Sequence, residues 1–347
     1  MKDLVLQAIA SPELDLERVK ALVSWQMDRI DAYGALAKAR GFDPRLMQSW
    51  FDIPPIFTAA FKRHRLFSGS DIVAEFRTSG TSSTSFGRSL FSHDGLEVMA
   101  ESIRENATQH LFPDATVTRI AVLAPPPSSA PHLIMSWGMQ RLVDQFGAIG
   151  SGFFVGPDGI KLVELVQLFE SSDEPITLIG ASFGFVHLLD TLDAQGWSTT
   201  LPAGSRIMDA GGFKGRSRTV SRAELAQGFD RVLGVPESHH INLLGMTELA
   251  SQFYDNTFSK PNGPRLKVNP PWTATAAFDP VTMEAVPEGE VGILRHLDMA
   301  NLDRPCVIQT DDLGRCYADG FEVLGRAVNT SDRGCSITVD ALVGGQA

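Results

Sequence analysis

The feature that most constrains this chain is an alternation of short apolar runs with longer stretches of helical character beyond residue 115. Strand-like, mainly apolar runs lie at 120–124, 153–155, 176–179 and 206–210, and helices are expected after His132 and over 159–169 and 182–195. Short buried strands that alternate with helices pair in parallel, because each helix returns the chain to the same end of the sheet. The pattern therefore predicts an α/β protein with a doubly wound, mostly parallel sheet.

The two ends of the chain have sequence patterns that differ from that of the middle. Ser11 followed by Pro12 predicts a helix start, and an apolar stripe from Leu16 to Ile30 predicts one helix that ends before Gly41. After residue 264, Pro and Gly separate brief strand-like runs, which indicates a smaller β-rich lobe. We therefore expect an N-terminal helical region at 1–52, an α/β core at 53–263, and a β-rich lobe with a short C-terminal tail at 264–347.

Composition excludes several classes of protein. The formal net charge of −11 argues against a nucleic-acid partner or an anionic membrane surface. No signal-peptide pattern opens the chain, and no apolar run approaches the roughly 20 residues that span a bilayer, so we expect a cytoplasmic protein. Three cysteines without metal-ligand spacing argue against structural zinc.

A run of small hydroxyl residues suits a phosphate-binding loop. Residues 78–85 contain seven Ser or Thr and one Gly, and a strand-like lead-in at 72–76 precedes them. Their hydroxyls and backbone N–H groups could surround an anion. A solvated surface loop is the alternative, because such composition is common in linkers.

Three further motifs follow in a fixed order. An apolar run at 241–244 ends in Gly245-Met246-Thr247-Glu248, which offers a hydroxyl and a carboxylate to a metal-bound nucleotide. Thr310, Asp311 and Asp312 follow a second run, and Gly325-Arg326 follows a third. Each motif is weak alone, but the ordered set is hard to obtain by chance.

With the hydroxyl loop, these motifs resemble the adenylate-forming synthetase superfamily. Within it, the chain is most similar to the acyl-protein synthetase branch, the LuxE-like proteins of bacterial fatty-acid reductase systems. The shared strings include 53–55, 211–214, 298–301, 309–314 and 333–336. The resemblance implies the large-domain fold of that superfamily, with its usual C-terminal lysine-bearing domain absent or vestigial.

The resemblance also implies ATP and Mg²⁺ as ligands. Glu248 would be the metal-associated carboxylate, Asp312 would bind ribose, although Asp311 is an alternative, and Arg326 would lie near ribose and phosphate. The implied ATP-binding residues are Thr78, Ser79, Gly80, Thr81, Ser82, Ser83, Thr84, Arg88, Gly211, Gly212, Gly245, Met246, Thr247, Asp312 and Arg326. Ser83, Ser85 and Phe86 replace the glycine, proline and lysine that are usual in the loop, and Arg88 would supply the missing charge.

Two more residues are catalytic candidates. Lys214, in a glycine-rich stretch, could approach the acyl carboxylate or the α-phosphate, or it could be a solvated loop lysine. Cys335 follows Arg333 and Gly334, and a neighbouring positive charge lowers a thiol pKa. The resemblance makes it the acyl-accepting thiol; a buried, inert cysteine is the alternative.

The implied function is ATP-dependent activation of a carboxylic acid, most simply a fatty acid, to an acyl-adenylate. Transfer to Cys335 and then to a partner reductase or carrier would follow. Two alternatives remain: a ligase that uses coenzyme A or a carrier protein without Cys335, and a degenerate nucleotide-binding subunit that catalyses nothing.

Overall fold

Helices and strands alternate through the middle of the chain in the computed structural model, which describes residues 1–78, 86–114, 117–211, 217–218, 220–261 and 263–327. The helices are α1 (Lys2–Ile9), α2 (Leu16–Arg29), α3 (Asp31–Ala39), α4 (His93–His110), α5 (Ile134–Phe146), α6 (Leu162–Ser171), α7 (Ser182–Ala194) and α8 (Arg222–Leu233). Short 3₁₀ turns cover Pro44–Leu46, Trp50–Asp52, Thr58–Lys62 and Glu237–His239.

The strands divide among sheets and hairpins. They are β1 (Ile56–Phe57), β2 (Ala74–Arg77), β3 (Arg88–Phe91), β4 (Arg119–Leu123), β5 (Gly152–Phe153), β6 (Val155–Gly156), β7 (Gly159–Ile160), β8 (Ile176–Ala181), β9 (Arg206–Ala210), β10 (His240–Leu244), β11 (Phe253–Tyr254), β12 (Thr273–Phe278), β13 (Gly292–Asp298), β14 (Val307–Tyr317) and β15 (Gly320–Arg326). The predicted runs at 120–124, 176–179 and 206–210 coincide with β4, β8 and β9.

The chain forms two compact units. The first comprises Met1–Glu105, Met246–Gln252 and Val268–Ala347, and the second comprises Asn106–Gly245 and Phe253–Lys267. The three-part division expected from the sequence stays a prediction.

The second unit contains the predicted parallel sheet. Its strand order is β11-β10-β9-β8-β4-β5, in which every neighbouring pair is parallel except the antiparallel pair β10–β11. The central strands β8 and β9 are buried along their whole length, and apolar side chains of α6, α7 and α8 pack into one core with them. This architecture is the one that alternating short strands and helices predict.

The first unit is built on an antiparallel sheet. Its order is β1-β14-β13-β12, with β15 also paired to β14, and β2 and β3 form a separate hairpin. β1 joins β14 in parallel, whereas β12, β13, β14 and β15 pair antiparallel. The expected strands after residue 264 are therefore present.

The N-terminal helix prediction was wrong in two respects. The first long helix starts at Leu16, because the Asp15 carboxylate, not Ser11, accepts hydrogen bonds from the N–H groups of the first turn. The chain then becomes extended at Ile30 and starts α3, so the stripe spans two helices. A Cβ on Gly34 would lie 2.4 Å from the Met27 carbonyl oxygen, so this close turn requires glycine. Among the described residues, no helix is both long and apolar enough to cross a membrane.

Candidate active site

The predicted phosphate loop is carried by the β2–β3 hairpin. In this hairpin, the buried rings of Phe76 and Phe91 pack edge to face, with centroids 5.3 Å apart. Ser79, Gly80, Thr81, Ser82, Ser83 and Thr84 lie outside the described residues. Of the loop candidates that are described, Thr78 follows β2, and Arg88 is the exposed first residue of β3.

Thr78 closes the base of this loop. Its backbone N–H donates to the Gly87 carbonyl oxygen at 2.9 Å, and its Oγ1 accepts from the Gly87 N–H at 2.7 Å. The Arg77 guanidinium lies over the Phe86 ring, 4.6 Å from its centroid. Phe86, which replaces the loop lysine of the family pattern, therefore has a packing role at this point.

Glu248 lies in the segment 246–252, which belongs to the first unit. It is 7% exposed, and burial raises the pKa of its carboxyl group to about 7. The charges of Arg326 and Arg304 lower this pKa, whereas that of Asp312 raises it. Glu248, Asp312 and Arg326, three residues singled out in the sequence, thus act on one another electrostatically in the folded chain.

Asp312 and Arg326 lie on adjacent strands of the same sheet. Asp312 is in the interior of β14, not after the end of a strand as its sequence suggested, and it pairs with Arg326 of β15. The Asp312 N–H donates to Thr310 Oγ1 at 3.1 Å, and Thr310 Oγ1 donates to the Leu294 carbonyl oxygen at 2.7 Å. Asp311 is exposed on the same strand, so Asp312 is the better placed of the two acids for a shared site with Glu248.

The glycine candidates Gly211 and Gly245 lie in the second unit. They directly follow β9 and β10, at the carboxyl edge of the parallel sheet, where α/β proteins bind ligands. Gly211 has a φ of 77°, which disfavours any side chain, and its carbonyl oxygen accepts from Ser182 Oγ at 3.1 Å. Apart from its chain neighbours, no atom of the described residues lies within 4 Å of a Cβ placed on Gly245.

A buried polar network supports this edge of the sheet. The Asp209 carboxylate accepts hydrogen bonds from Ser182 Oγ at 2.5 Å and Asn242 Nδ2 at 3.1 Å, and it lies 2.8 Å from His240 Nε2. Burial opposes ionisation of Asp209, but these hydrogen bonds outweigh it and lower its pKa to about 2. The serine bonds the aspartate and not the histidine, so the arrangement is not that of a serine hydrolase.

The remaining candidates divide between described and undescribed residues. Met246 and Thr247 precede Glu248 in the first unit, and Thr247 is buried. Gly212, Lys214 and Cys335 lie outside the described residues. Cys306 is fully buried, which raises the pKa of its thiol strongly, and burial raises the pKa of Cys316 to about 11. Both described thiols are therefore poor nucleophiles at neutral pH.

Sequence reasoning assigned no role to the buried residues that hold Glu248 in place. The Asp298 carboxylate accepts from the N–H groups of Ala250 at 2.9 Å and Ser251 at 2.8 Å, and from Ser251 Oγ at 2.7 Å. Asn301 and Arg304 lie on the same loop and are also buried. The available signals were the string 298–301, which is among those shared with the family, and the polar residues at the end of β13 and just after it, Asp298, Asn301, Asp303 and Arg304.

A profile of the family described as "Acyl-protein synthetase, LuxE" matches residues 19–343. The chain belongs to this family. The match confirms the predicted resemblance and the assignment to the acid-activating ligases.

Two relatives share this family resemblance. A protein of Vibrio harveyi named long-chain-fatty-acid–luciferin-component ligase is 24% identical over 344 residues, which cover 94% of this chain and 87% of the relative. A protein of the same name from Aliivibrio fischeri is 29% identical over 158 residues, 44% of this chain and 40% of the relative.

Solved structures confirm the fold class. A 2-hydroxyisobutyryl-CoA ligase in complex with its acyl-adenylate and CoA superimposes with a TM-score of 0.68 at 14% identity, covering 90% of this chain and 74% of that one. ATP-bound MatB from Rhodopseudomonas palustris superimposes with a TM-score of 0.52 at 17% identity, covering 75% and 49%. Both have the adenylate-forming ligase fold that the sequence predicts.

Proposed function

We propose that this protein activates a carboxylic acid with ATP and then transfers the acyl group to a protein thiol. The observation that carries the proposal is the buried Glu248 carboxylate, which acts electrostatically with Asp312 and Arg326. The family resemblance implies a metal-associated role for Glu248, ribose binding for Asp312, and a place near ribose and phosphate for Arg326.

Mg²⁺ fits the residues around Glu248. Within the described ranges no three His, Cys, Asp or Glu side chains are grouped to hold a metal. Mg²⁺ bound with a nucleotide does not need such a group, because phosphates and water fill most of its coordination positions and one or two carboxylates complete them. Burial disfavours the ionised form of the Glu248 carboxyl group. A cation bound nearby would favour that ionised form. When bound, the metal would neutralise charge that develops on the departing pyrophosphate.

Other residues of the first unit are candidates for contacts with the nucleotide. Thr78 and the hydroxyl loop would donate to phosphate oxygens, with Arg88 as the nearby charge. Asp312 would accept from the ribose hydroxyls, and Arg326 would lie near ribose and phosphate. In the second unit, Gly211, Gly212 and Gly245 stay our candidates for positions where the missing Cβ would let a ligand approach the backbone closely.

The first half-reaction is an in-line substitution at the α-phosphorus of ATP. A carboxylate oxygen of the acid forms a bond to this phosphorus, the bond to the bridging oxygen of the β-phosphate breaks, and pyrophosphate leaves with the electron pair. The protein contributes positioning and charge stabilisation and forms no covalent bond in this step. Lys214 is our candidate for the group that approaches the acyl carboxylate or the α-phosphate.

The second half-reaction needs a nucleophilic thiol, and we assign it to Cys335. Burial raises the thiol pKa of both Cys306 and Cys316, which leaves Cys335 as the third cysteine of the chain. Its thiolate would attack the acyl carbonyl and form a thioester, and AMP would leave. A partner reductase or carrier protein would then take the acyl group.

The relatives' names support a long-chain fatty acid as the substrate, and we propose that class for this chain. A supply of ATP is required, so we place the protein in the cytoplasm.

Transfer to Cys335 can be tested by labelling. Wild type, Cys335→Ser and the matched control Cys316→Ser are incubated with ATP and a radiolabelled fatty acid, then denatured. We expect hydroxylamine-sensitive label on wild type and Cys316→Ser but not on Cys335→Ser, because a serine hydroxyl is a far weaker nucleophile at neutral pH. Equal label on all three would reject Cys335 as the acceptor, and acyl transfer to coenzyme A by unlabelled protein would favour a free-acceptor ligase.

A further inference from the structure

The segment that carries Glu248 is tied to the loop between β13 and β14. Asn301 lies on this loop and is fully buried. Its side-chain Nδ2 donates to the main-chain carbonyl oxygen of Glu248 at 3.0 Å and to that of Pro305 at 3.2 Å. Asn301 therefore holds the backbone of the acid itself, whereas Asp298 holds the two later residues Ala250 and Ser251.

Asn301 is in turn fixed from two sides. Arg304 Nη2 donates to Asn301 Oδ1 at 2.8 Å, and Gln26 Nε2 of α2 donates to the Asn301 carbonyl oxygen at 2.6 Å. Gln26 is fully buried, donates also to the Arg304 carbonyl oxygen at 2.6 Å, and accepts from the Cys306 N–H at 3.0 Å. The Asn301 amide thus uses both donors and its acceptor, and rotating it would leave buried groups without partners.

We propose that Asn301 is a positioning residue for acyl-adenylate formation, which sets the place of Glu248 by holding its main chain. The inference rests on the proposed role of Glu248. A displacement of about 1 Å in a catalytic site can reduce a rate by about a hundredfold. A hydrogen bond that holds the backbone of Glu248, the proposed metal-associated carboxylate, therefore affects the reaction rate more than the binding of substrate. Arg304 acts on both residues: it donates a hydrogen bond to the Asn301 side chain, and its charge lowers the pKa of Glu248.

The test compares two changes at Asn301 with a matched change on the same loop. Asn301→Ala removes the amide, and Asn301→Asp keeps its size and its acceptor for Arg304 but cannot donate to Glu248. Ser68→Ala is the control, because buried Ser68 Oγ donates to the carbonyl oxygen of the adjacent residue Leu302 at 3.2 Å. Each of the three variants loses a buried hydrogen bond that involves this loop. Only the changes at Asn301 remove the hydrogen bond to the Glu248 carbonyl oxygen.

Two measurements are made on each purified protein. Backbone hydrogen–deuterium exchange over residues 246–252 measures how firmly this segment is held, and it needs no catalytic activity. The rate of acid-dependent pyrophosphate–ATP exchange, as a function of acid concentration, reports adenylation. We expect both Asn301 variants to take up deuterium faster than wild type over 246–252. Their maximal exchange rate should fall about tenfold or more, whereas the concentration of carboxylic acid substrate at half-saturation should change by less than about twofold. Ser68→Ala should retain the wild-type uptake and rate.

Three results would overturn the inference. Equal deuterium uptake in Asn301→Asp and Ser68→Ala would show that Asn301 does not hold the segment, whether or not the enzyme is active. Raised uptake with an unchanged maximal rate would show that this hold is irrelevant to the reaction. Absence of exchange activity in wild type itself would reject the proposed function, and the role of Asn301 in it, and this failure is recognised because no variant is involved.

Discussion

Arg326 lies directly opposite Asp312 across the β14–β15 pair, and its Nε is 3.2 Å from Asp312 Oδ1. The two side chains differ in exposure, at 74% for Arg326 and 14% for Asp312. Both also act on Glu248, whose pKa is lowered by Arg326 and raised by Asp312. Arg326 is therefore an accessible cation that favours the ionised form of a buried acid.

Replacing Arg326 should change the pH dependence of adenylation. In Arg326→Ala the pKa of Glu248 should rise above its value of about 7, because a charge that favours the carboxylate is lost. The acid limb of pyrophosphate–ATP exchange should then move to higher pH. The control is Arg315→Ala, on the same pair of strands, where Arg315 binds Glu322 at 3.2 Å. Equal pH profiles for the two variants would contradict the account.

The burial of Glu248 also predicts a pH-dependent cost in stability. Its pKa is about 7 in the folded protein and near the ordinary value of 4.5 when unfolded. A raised carboxyl pKa contributes stability that is present below pH 4.5 and is lost as the pH rises through 7.

Glu248→Gln should remove this pH dependence. The variant cannot ionise, so it should match wild type near pH 4.5 and exceed it at pH 8.5 by up to about 3 kcal/mol. Urea denaturation of the nucleotide-free proteins at the two pH values measures the difference. If the difference is the same at both pH values, the carboxyl group does not have the raised pKa.

Thr78 should affect ATP use through the base of the hydroxyl loop. Thr78→Ala removes the acceptor for the Gly87 N–H, whereas Thr78→Ser keeps it. Loss of one such hydrogen bond corresponds to about threefold to tenfold in apparent affinity. We expect the KM for ATP in the exchange assay to rise by that factor in Thr78→Ala only. A similar rise in Thr78→Ser would indicate that the methyl group matters, not the hydroxyl.

The Asp209 network should be important for the stability of the second unit. Asp209→Asn should reduce the free energy of unfolding by about 2–3 kcal/mol at neutral pH, because Ser182 and His240 lose a buried, charged acceptor. Since the pKa of Asp209 is lowered to about 2, the contribution is present above pH 3.8 and declines below it. In the control Asp190→Asn, which breaks an exposed pair with Arg218, we expect a change below about 0.5 kcal/mol.

The sequence predicted the parts of the fold that depend on local pattern. The strands β4, β8 and β9 were found because short, mainly apolar runs that alternate with helical stretches are typical of buried strands. The helix start at Leu16 was missed because Ser11-Pro12 and Asp15 are both acceptable caps, and only packing decides between them. The break at Ile30 was missed because the apolar stripe continues through it.

The sequence singled out candidate site residues where a motif combines several residues along the chain, and it gave no role to residues that act from a distance. Glu248, Asp312 and Arg326 were recognised by their neighbours along the chain. Gln26 carries no such signature, and Asn301 was noted only within the string 298–301, without a role. The contact between them joins residues 275 apart in the sequence. A buried glutamine in an apolar helix stripe reads from sequence as an exposed position.

Acid-dependent exchange of labelled pyrophosphate into ATP tests the central claim most directly, because it requires reversible formation of an acyl-adenylate and nothing after it. It is measured for wild type and Glu248→Gln at pH 8, with a panel of carboxylic acids of different chain length. We predict exchange in wild type that depends on a long-chain fatty acid, and loss of most of it in Glu248→Gln although that variant stays folded. Exchange at the wild-type rate in Glu248→Gln would contradict the assignment of the site, and no exchange in wild type with any acid would contradict the proposed function and favour a non-catalytic nucleotide-binding subunit.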